Sequence, residues 1–227
     1  MKWISLIPMR AGSKGLPNKN TIPVAGKPLY QYSVDAALSA GARRIYISTD
    51  IQKVLAKTMP KRVQVVKRQT SLCTDDTHIN SVVFDFLKFG IGSKIRDEEI
   101  VVLMQPTSPI RAVKDLQNAV KKFSETNNTD LLMSVTQTDS TLLKSGLVQD
   151  GYFKPISSPQ YCFENRQSLP KVCKPSGSFY VFRAGWFRTN KSFVTNSILS
   201  FEIPAERSID IDTKKDIRKA ELILKRN

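Results

Sequence analysis

The chain has 227 residues, 41% of them apolar, and a formal net charge of +15 at pH 7. We expect one domain over residues 1–227, because this length and apolar content suffice for a sizeable core. The sequence contains no apolar run long enough to span a bilayer, and its first residues lack the pattern of a secretory signal peptide. Together these features predict a cytoplasmic protein that does not act in a membrane.

The positive charge is distributed along the whole chain. Basic residues occur from Lys2 to Arg226 without an aromatic-interleaved stripe, and the densest run, residues 214–226, has the pattern of a solvated helix face. This distribution is most typical of a generally solvated surface, and it favours small acidic metabolites over nucleic acid as partners. The three cysteines are odd in number and have no C-x-x-C spacing, so they indicate neither a disulfide framework nor a zinc site.

Short apolar runs and helical periodicities alternate along the first 135 residues. They predict, in chain order, a strand at 4–7, a helix at 30–40, a strand at 44–48, a short helix at 51–58, a strand at 63–66, a helix at 80–89, a strand at 100–104, a helix at 114–123 and a strand at 131–135. This alternation predicts an α/β fold with a doubly wound, mainly parallel sheet.

The pattern changes between residues 139 and 175, where short polar segments with Gly, Pro and Ser replace it. Asp150 and Gly151 form a dipeptide typical of a tight hairpin turn. We therefore expect this segment to leave the sheet as an excursion. Regular structure is expected to resume with strands at 178–182 and 199–203 and a final helix at 213–225.

The loop after the first predicted strand, residues 7–20, is the most informative segment of the chain. Gly12 and Gly15 allow backbone amides to approach an anion closely, and the hydroxyl of Ser13 adds a further hydrogen bond. The cations of this loop are Arg10, Lys14 and Lys19. It is not a Walker loop, because no GKS or GKT ends it. The consistent chemistry favours a polyphosphate site over a basic surface turn.

Two further segments are expected at the same edge of the sheet as this loop. Residues 48–50 and 105–108 also follow predicted strands, and ligands in such sheets bind beyond the carboxyl ends of the strands. Three segments thus converge on one crevice. Asp50 is expected to cap the structure after its strand rather than to bind a ligand.

Two carboxylates stand at alternate positions near the end of the chain, Asp210 and Asp212. If this backbone is extended, both side chains point the same way. Magnesium commonly takes one or two carboxylates together with substrate phosphates, so the pair suits that ion. The alternative is a turn in which Asp212 caps the last helix.

These motifs together resemble the acylneuraminate cytidylyltransferase family, whose members make CMP-sialic acids and related CMP-activated nonulosonates. The family signature matches IPMRAGSKGLPNKN except at Ala11, where most members have Gly, a change that matters only if the position needs a positive φ. QPTSPIR at 105–111 and IDID at 209–212 match two more motifs. The resemblance covers nearly the whole chain. It implies a Rossmann-like nucleotidyltransferase fold and a homodimer in which residues 139–175 reach into the partner's site.

The resemblance implies that the chain binds CTP. Arg68 opens RQTSLCTDD, where the family usually reads RPxxLAxD, and is implied to contact cytosine together with main-chain carbonyls. An arginine beside a carbonyl distinguishes cytosine, which has an N4 donor beside its O2 and N3 acceptors, from uracil. The alternative for Arg68 is a surface cation after a strand. The implied nucleotide-binding residues are Arg10, Gly12, Ser13, Lys14, Asn20, Arg68 and Cys73.

The resemblance also implies residues that bind the sugar acid: Gln105, Arg166, Gln167 and Ser176. Arg166 and Gln167 are suited to the carboxylate of the sugar. Ser176 replaces the usual Asn and shortens a side chain that would face the sugar, while Cys173 replaces the usual Tyr. The alternative that this segment is a purely structural hairpin stays open. Arg111 is expected to form a structural ion pair rather than to bind a ligand.

By the same resemblance, Asp210 and Asp212 bind Mg²⁺ as the cofactor and act in catalysis with Arg10, Lys14 and Lys19. The implied reaction transfers CMP from CTP to a nine-carbon 2-keto sugar acid and releases pyrophosphate. Three alternatives stay open. They are transfer to an eight-carbon acid of the Kdo type, a basic RNA-binding or regulatory protein, and a nucleotide-binding protein without turnover.

Overall fold

The computed structural model describes residues 2–13 and 15–225, and the strands and helices predicted from the sequence are present in the predicted order. Two short strands at 23–24 and 27–28 and a helix at 184–190 were not predicted. The strands are β1 (Trp3–Pro8), β2 (Pro23–Val24), β3 (Lys27–Pro28), β4 (Arg44–Thr49), β5 (Val63–Lys67), β6 (Ile100–Met104), β7 (Leu131–Gln137), β8 (Gly146–Gln149), β9 (Tyr152–Pro155), β10 (Cys173–Arg183) and β11 (Ile198–Glu202). The α-helices are α1 (Leu29–Ser39), α2 (Gln52–Leu55), α3 (Ile79–Lys88), α4 (Val113–Glu125), α5 (Ala184–Asn190) and α6 (Lys214–Leu224).

Seven of these strands form one sheet, in the order β11-β7-β10-β6-β1-β4-β5. Neighbouring strands are parallel except at β10, which runs antiparallel to both β6 and β7. β1 lies in the interior of the sheet and is buried at every position, as its continuous apolar run requires. The doubly wound, mainly parallel sheet is therefore confirmed.

Helices cover both faces of the sheet. Val34 of α1 and Phe123 of α4 belong to one buried apolar cluster, and Phe86 of α3 belongs to another. Successive residues of β1 point to opposite faces, so Ile7 packs into the first cluster and Leu6 into the second. Among the helices that the structure describes, none is both long enough and apolar enough to cross a bilayer.

Two elements differ in extent from their predictions. α2 ends at Leu55 rather than near residue 58, and helical backbone is in any case disfavoured at Met59, which precedes proline. β10 begins at Cys173 rather than near residue 178. A register shift between Pro175 and Tyr180 allows the first residues of this strand to pair with β7 as well.

Most of residues 139–175 leave the sheet, as expected, and only residues 173–175 pair with β7. β8 and β9 form a hairpin, where Asp150 and Gly151 have φ angles of 52° and 79° that suit the predicted tight turn. Several large apolar side chains of the excursion are exposed: Leu147, Val148, Tyr152, Phe153, Ile156 and Phe163. These side chains are apolar surface that the rest of the described chain does not cover.

The last helix is capped by Thr213, so the alternative in which Asp212 caps it is wrong. The hydroxyl of Thr213 accepts a hydrogen bond from the Asp216 N–H, and the Asp216 carboxylate accepts one from the Thr213 N–H at 2.9 Å. The Thr213 hydroxyl also donates to the Asp216 carboxylate at 2.7 Å, and this bond, together with the backbone N–H bonds to the same carboxylate, lowers the pKa of Asp216 from its ordinary value. The capping box leaves Asp212 outside the helix, so the Asp212 carboxylate takes no part in capping it.

Replacing Thr213 by Ala should lower the free energy of unfolding by about 1 kcal/mol, because the cap is lost, whereas Ser should preserve most of it. The Asp216 pKa is lowered in the folded state, so the stabilisation is present at neutral pH and disappears as the pH falls through that lowered pKa. Urea unfolding of the parent and both variants measures these effects. Equal stability of the Ala variant and the parent at pH 7 would contradict the assignment.

Candidate functional site

A cleft of about 200 Å³ lies beyond the carboxyl ends of β1, β5 and β6. Of the three segments predicted to converge, the first loop and the turn after β6 line this cleft, whereas residues 48–50 do not line it and Asp50 contacts the first loop instead. The residues of the cleft that the sequence predicted are Arg10, Ser13, Lys19, Asn20, Arg68 and Gln105. Lys14, which the sequence places among the phosphate-binding cations, lies outside the described residues.

Hydrogen bonds to neighbouring segments hold the first loop in place. The Met9 N–H donates to the Ser48 carbonyl at 2.9 Å, and the Asn20 side-chain amide donates to the Arg10 carbonyl at 3.0 Å. Gly12 has a φ of 65°, which a residue with a side chain adopts only with strain. Ala11 is not among the described non-glycine residues with positive φ, so its departure from the usual Gly causes no backbone strain.

Asp50 has a different role from the cap predicted for it. Its carboxylate accepts a hydrogen bond of 2.7 Å from the Ala11 N–H and thereby anchors the first loop. The residue that precedes α2 is Ile51, whose N–H bonds the hydroxyl of Thr49 at 3.1 Å. Asp50 therefore positions the first loop, a contact between distant segments that local sequence patterns do not reveal.

Acidic side chains accompany two of the cations in this cleft. Arg10 forms an ion pair with Asp75 and donates a hydrogen bond to the Gly12 carbonyl. Lys19 forms an ion pair of 2.8 Å with Asp212, whose side chain is 65% exposed. Exposed ion pairs of this kind contribute little to stability, so an anionic ligand can replace the carboxylates at small cost.

Arg68 is 5% exposed, so the alternative of a surface cation is wrong. Its guanidinium donates to the carbonyl of Ser48 at 2.9 Å and to the hydroxyl of the same residue at 3.3 Å. Its Nη1 group makes no hydrogen bond to any described residue, so it is available to a ligand. Burial lowers the Arg68 pKa, while the pKa of the neighbouring Cys73 thiol is raised, chiefly by its own burial. Cys73 lies between two residues of the cleft wall, Leu72 and Thr74.

A second cavity of about 370 Å³ adjoins the cleft and shares Gln105 with it. The side-chain amide of Gln105 makes no hydrogen bond to any residue that the structure describes, so it is available to a ligand in either space. The side chains that line the cavity beside it are Thr136, Lys174, Ser176, Tyr180, Ser208 and Asp210. The sequence analysis missed Thr136, Lys174 and Tyr180.

The irregular part of β10 forms one wall of this second cavity. In this part of β10 the regular backbone hydrogen bonds to β7 are interrupted. The hydroxyl of Ser134 in β7 takes their place at Phe179, where it accepts from the N–H and donates to the carbonyl, each at 3.0 Å. The Ser176 hydroxyl, predicted to face the sugar, is 6% exposed and bonds the Ser134 hydroxyl at 2.7 Å. Gly177 has a φ of 73°, as a bulge often requires. Ser134 thus holds the wall of the cavity in shape.

Arg111 is structural, as expected, but its partners are not those of an ion pair. Its guanidinium donates to the carbonyl of Ser178 at 2.7 Å, to the hydroxyl of Ser33 at 2.9 Å and to the carbonyl of Gln105. Burial lowers its pKa to about 9, and the nearby Asp210 opposes that shift. The side chain therefore remains charged at neutral pH and ties the Gln105 turn to β10.

The carboxylates of Asp210 and Asp212 are both exposed and flank the fully buried Ile211. The Ile211 N–H donates to the Thr107 carbonyl at 2.8 Å, which attaches this segment to the turn after β6. No group of three or more His, Cys, Asp and Glu suited to a metal occurs among the described residues. A cation here would take two protein carboxylates and its remaining ligands from a substrate.

Arg166 and Gln167 are the two predicted site residues that this single chain does not bring to the site. Both are exposed in the excursion, and Arg166 lies 3.6 Å from Asp139. Neither lines the cleft or the second cavity.

Comparisons with known proteins agree with this geometry. A family model described as cytidylyltransferase matches residues 4–196. An N-acylneuraminate cytidylyltransferase of Streptococcus agalactiae serotype III is 30% identical over 227 residues, covering 95% of this chain and 52% of that protein, so the chain spans about half the length of that relative. A CMP-N,N'-diacetyllegionaminic acid synthase of Legionella pneumophila is 33% identical, covering 100% of this chain and 98% of that protein.

A solved structure of a CMP:2-keto-3-deoxy-manno-octonic acid synthetase complexed with CTP also resembles this chain. The TM-score is 0.74 at 17% sequence identity, covering 100% of this chain and 99% of the other. At this identity the likeness establishes a shared fold.

Replacing Ser134 by Ala should lower the free energy of unfolding by about 2 kcal/mol, because the buried N–H of Phe179 loses its partner. Ser5→Ala is the matched control: Ser5 is also fully buried, but its hydroxyl bonds only the weakly accepting Met104 sulfur at 3.2 Å. Urea unfolding should show the smaller loss for Ser5→Ala. Equal losses would refute a special role for Ser134.

Proposed function

Because the chain belongs to the cytidylyltransferase family, we propose that it couples CTP to a nonulosonic acid and releases pyrophosphate. The acid is a nine-carbon 2-keto sugar acid of the N-acetylneuraminic, legionaminic or pseudaminic type. The observation that carries this proposal is the contact between two spaces, a cationic cleft and a polar cavity, through the shared Gln105. CTP is a cytoplasmic metabolite, so we expect the reaction in the cytoplasm.

The cleft supplies groups suited to a cytidine triphosphate. Arg10 and Lys19 bring positive charge to the phosphates, and Gly12 and Ser13 lie in the same loop; Lys14 of this loop is proposed to act with them. Arg68 is buried at this wall, and its Nη1 group, which the bonds to Ser48 leave unused, is proposed to donate to cytosine, with a main-chain carbonyl as the acceptor of the N4 amino group. Asn20 and Cys73 are proposed to complete this nucleotide pocket.

The residues present fit a magnesium ion. Asp212 offers a carboxylate beside Lys19 of the first loop, Asp210 offers an exposed carboxylate at the second cavity, and Mg²⁺ prefers such hard ligands together with phosphate oxygens. When bound, Mg²⁺ supplies positive charge against the phosphates of CTP. Lys19 would then exchange its ion pair with Asp212 for a phosphate contact.

The reaction requires the attacking oxygen of the acid and the leaving oxygen of pyrophosphate to lie in line through the α-phosphorus. The anomeric hydroxyl of the acid loses its proton to water as its oxygen forms a bond to the α-phosphorus, the bond from that phosphorus to the bridging oxygen breaks, and pyrophosphate leaves with the electron pair. Such phosphoryl transfer depends on positioning and on cations that neutralise developing charge. Gln105 lies at the boundary of the two spaces and is proposed to orient the acid, while Arg10 and Lys19 stabilise the departing pyrophosphate.

The excursion is proposed to form a homodimer. Its apolar side chains are exposed in one chain, where Val148 and Tyr152 are each 75% exposed, and a second copy would bury them. Arg166 and Gln167 lie on the same excursion, away from their own site. In the dimer they would reach the sugar acid of the other copy.

The direct test is release of pyrophosphate from CTP and magnesium with a panel of nine-carbon and eight-carbon sugar acids, beside UTP, ATP and GTP. We expect release with CTP and a nine-carbon acid. Asp212→Asn should lower kcat by about 100-fold or more, because charge stabilisation in the transition state is lost. Glu125→Gln, which changes an exposed carboxylate on α4, should leave kcat unchanged.

Other outcomes of this panel identify the alternatives. Release only with eight-carbon acids would replace the proposed acceptor. If folded protein binds CTP but releases no pyrophosphate with any acid of the panel, catalysis is refuted and a nucleotide-binding protein without turnover is favoured. Affinity for RNA with a steep salt dependence would favour the nucleic-acid alternative.

Shared sites predict complementation between two inactive variants. Asp212→Ala and Arg166→Ala subunits, each inactive alone, should regain activity when mixed, because one site in each mixed dimer keeps both residues. The expected recovery is about one quarter of the parent rate, from half the dimers with one intact site each. The rates before and after subunit exchange measure this. No recovery despite exchange would count against a contribution of Arg166 to the other subunit's site.

A further inference from the structure

Lys174 is the one cation among the described residues that line the second cavity. It makes no ion pair or hydrogen bond with any described residue. Its neighbour in sequence, Lys171, forms an ion pair with Glu202 instead. Lys174 therefore brings an uncompensated positive charge to the wall of the cavity.

The pairing of β10 with β7 places a second polar group beside this charge. Lys174 is the cross-strand partner of Thr136, so both side chains lie on the same face of the sheet. Thr136 is 2% exposed, and its hydroxyl has no hydrogen-bond partner within the described part of the chain. An unpartnered buried hydroxyl is unfavourable in the free protein, and such groups are retained where they serve a ligand.

A nearby negative charge sets a requirement on any acid that enters this cavity. The carboxylate of Asp210 lines the same cavity and, before Mg²⁺ is bound, repels a second carboxylate in this space. Arg111 cannot easily offset this repulsion, because its guanidinium is committed to Ser178, Ser33 and Gln105. Lys174 is the group of the same chain that can.

We infer that Lys174 binds the carboxylate of the acceptor acid and that the Thr136 hydroxyl donates a hydrogen bond to it. The inference rests on the proposed function and specifies the acceptor site within it. A change of the χ1 rotamer moves a threonine hydroxyl into the position that the methyl group or the Cβ hydrogen held before, so Thr136 can turn its hydroxyl into the cavity when the acid is bound. Lys174 has a flexible stem and a compact charge, which suits the same adjustment.

The first test compares Lys174→Met with Lys171→Met, a matched change of a nearby lysine that does not line the cavity. Lys174→Met should raise the KM for the acid about tenfold or more, because a charge-assisted contact is lost, and leave the KM for CTP unchanged. Lys171→Met should change neither. The methyl ester of the acid, used as a competitor, lacks the charge, so its inhibition constant should change little in Lys174→Met.

The second test uses Thr136→Val, which keeps the shape of the side chain and removes the hydroxyl. The melting temperature should stay the same or rise, because the lost hydroxyl has no partner in the free protein. The KM for the acid should nevertheless rise about fivefold, and Thr136→Ser should restore it. A fall in melting temperature with an unchanged KM would show a structural role and overturn this part.

The outcomes separate this inference from the function on which it rests. If the parent protein turns over an acid and Lys174→Met behaves like Lys171→Met, the inference is wrong and the proposed function stands. If the parent turns over no acid of the panel, the proposed function fails and the inference fails with it. A selective loss of acid affinity, absent with the ester, supports both.

Discussion

The parallel alignment of β1 between β4 and β6 is the constraint on which the candidate site depends. Parallel strands end at the same edge, so the loops that follow these three strands must meet there. The loop of residues 9–20, Asp50 after β4 and Gln105 after β6 are the result. β1 is fully buried, and hydrogen bonds to neighbouring segments, such as that from the Met9 N–H to the Ser48 carbonyl, hold the loop that follows it.

The charges in the cleft are balanced in a way that permits exchange. Arg10 is paired with Asp75 and Lys19 with Asp212, and both pairs have solvent access. The cations therefore keep defined positions at little energetic cost, and phosphate oxygens can take the place of the carboxylates. Arg68 differs, because it is buried and its guanidinium is bonded to Ser48 rather than to a carboxylate.

The antiparallel strand β10 gives the sheet its second cavity. Its register shift leaves backbone groups without ladder partners, and Ser134 satisfies those of Phe179. The same irregularity brings Ser176 and Gly177 to the cavity beside Asp210. Arg111 then joins β10 to the turn that carries Gln105, so the two spaces are connected by one structural network.

The sequence by itself determined the alternation of strands and helices, the hairpin at Asp150 and the first loop, because apolar periodicity and turn chemistry are local properties. It also indicated Gln105 and the aspartate pair through their motifs. Only the tertiary structure decided that Asp50 anchors the first loop, that Arg68 is buried, and that Thr136 stands opposite Lys174. These facts depend on strand register and on contacts between segments that are distant in the sequence. The irregularity between Pro175 and Tyr180 changes the register of β10 against β7, and no local sequence pattern specifies that change.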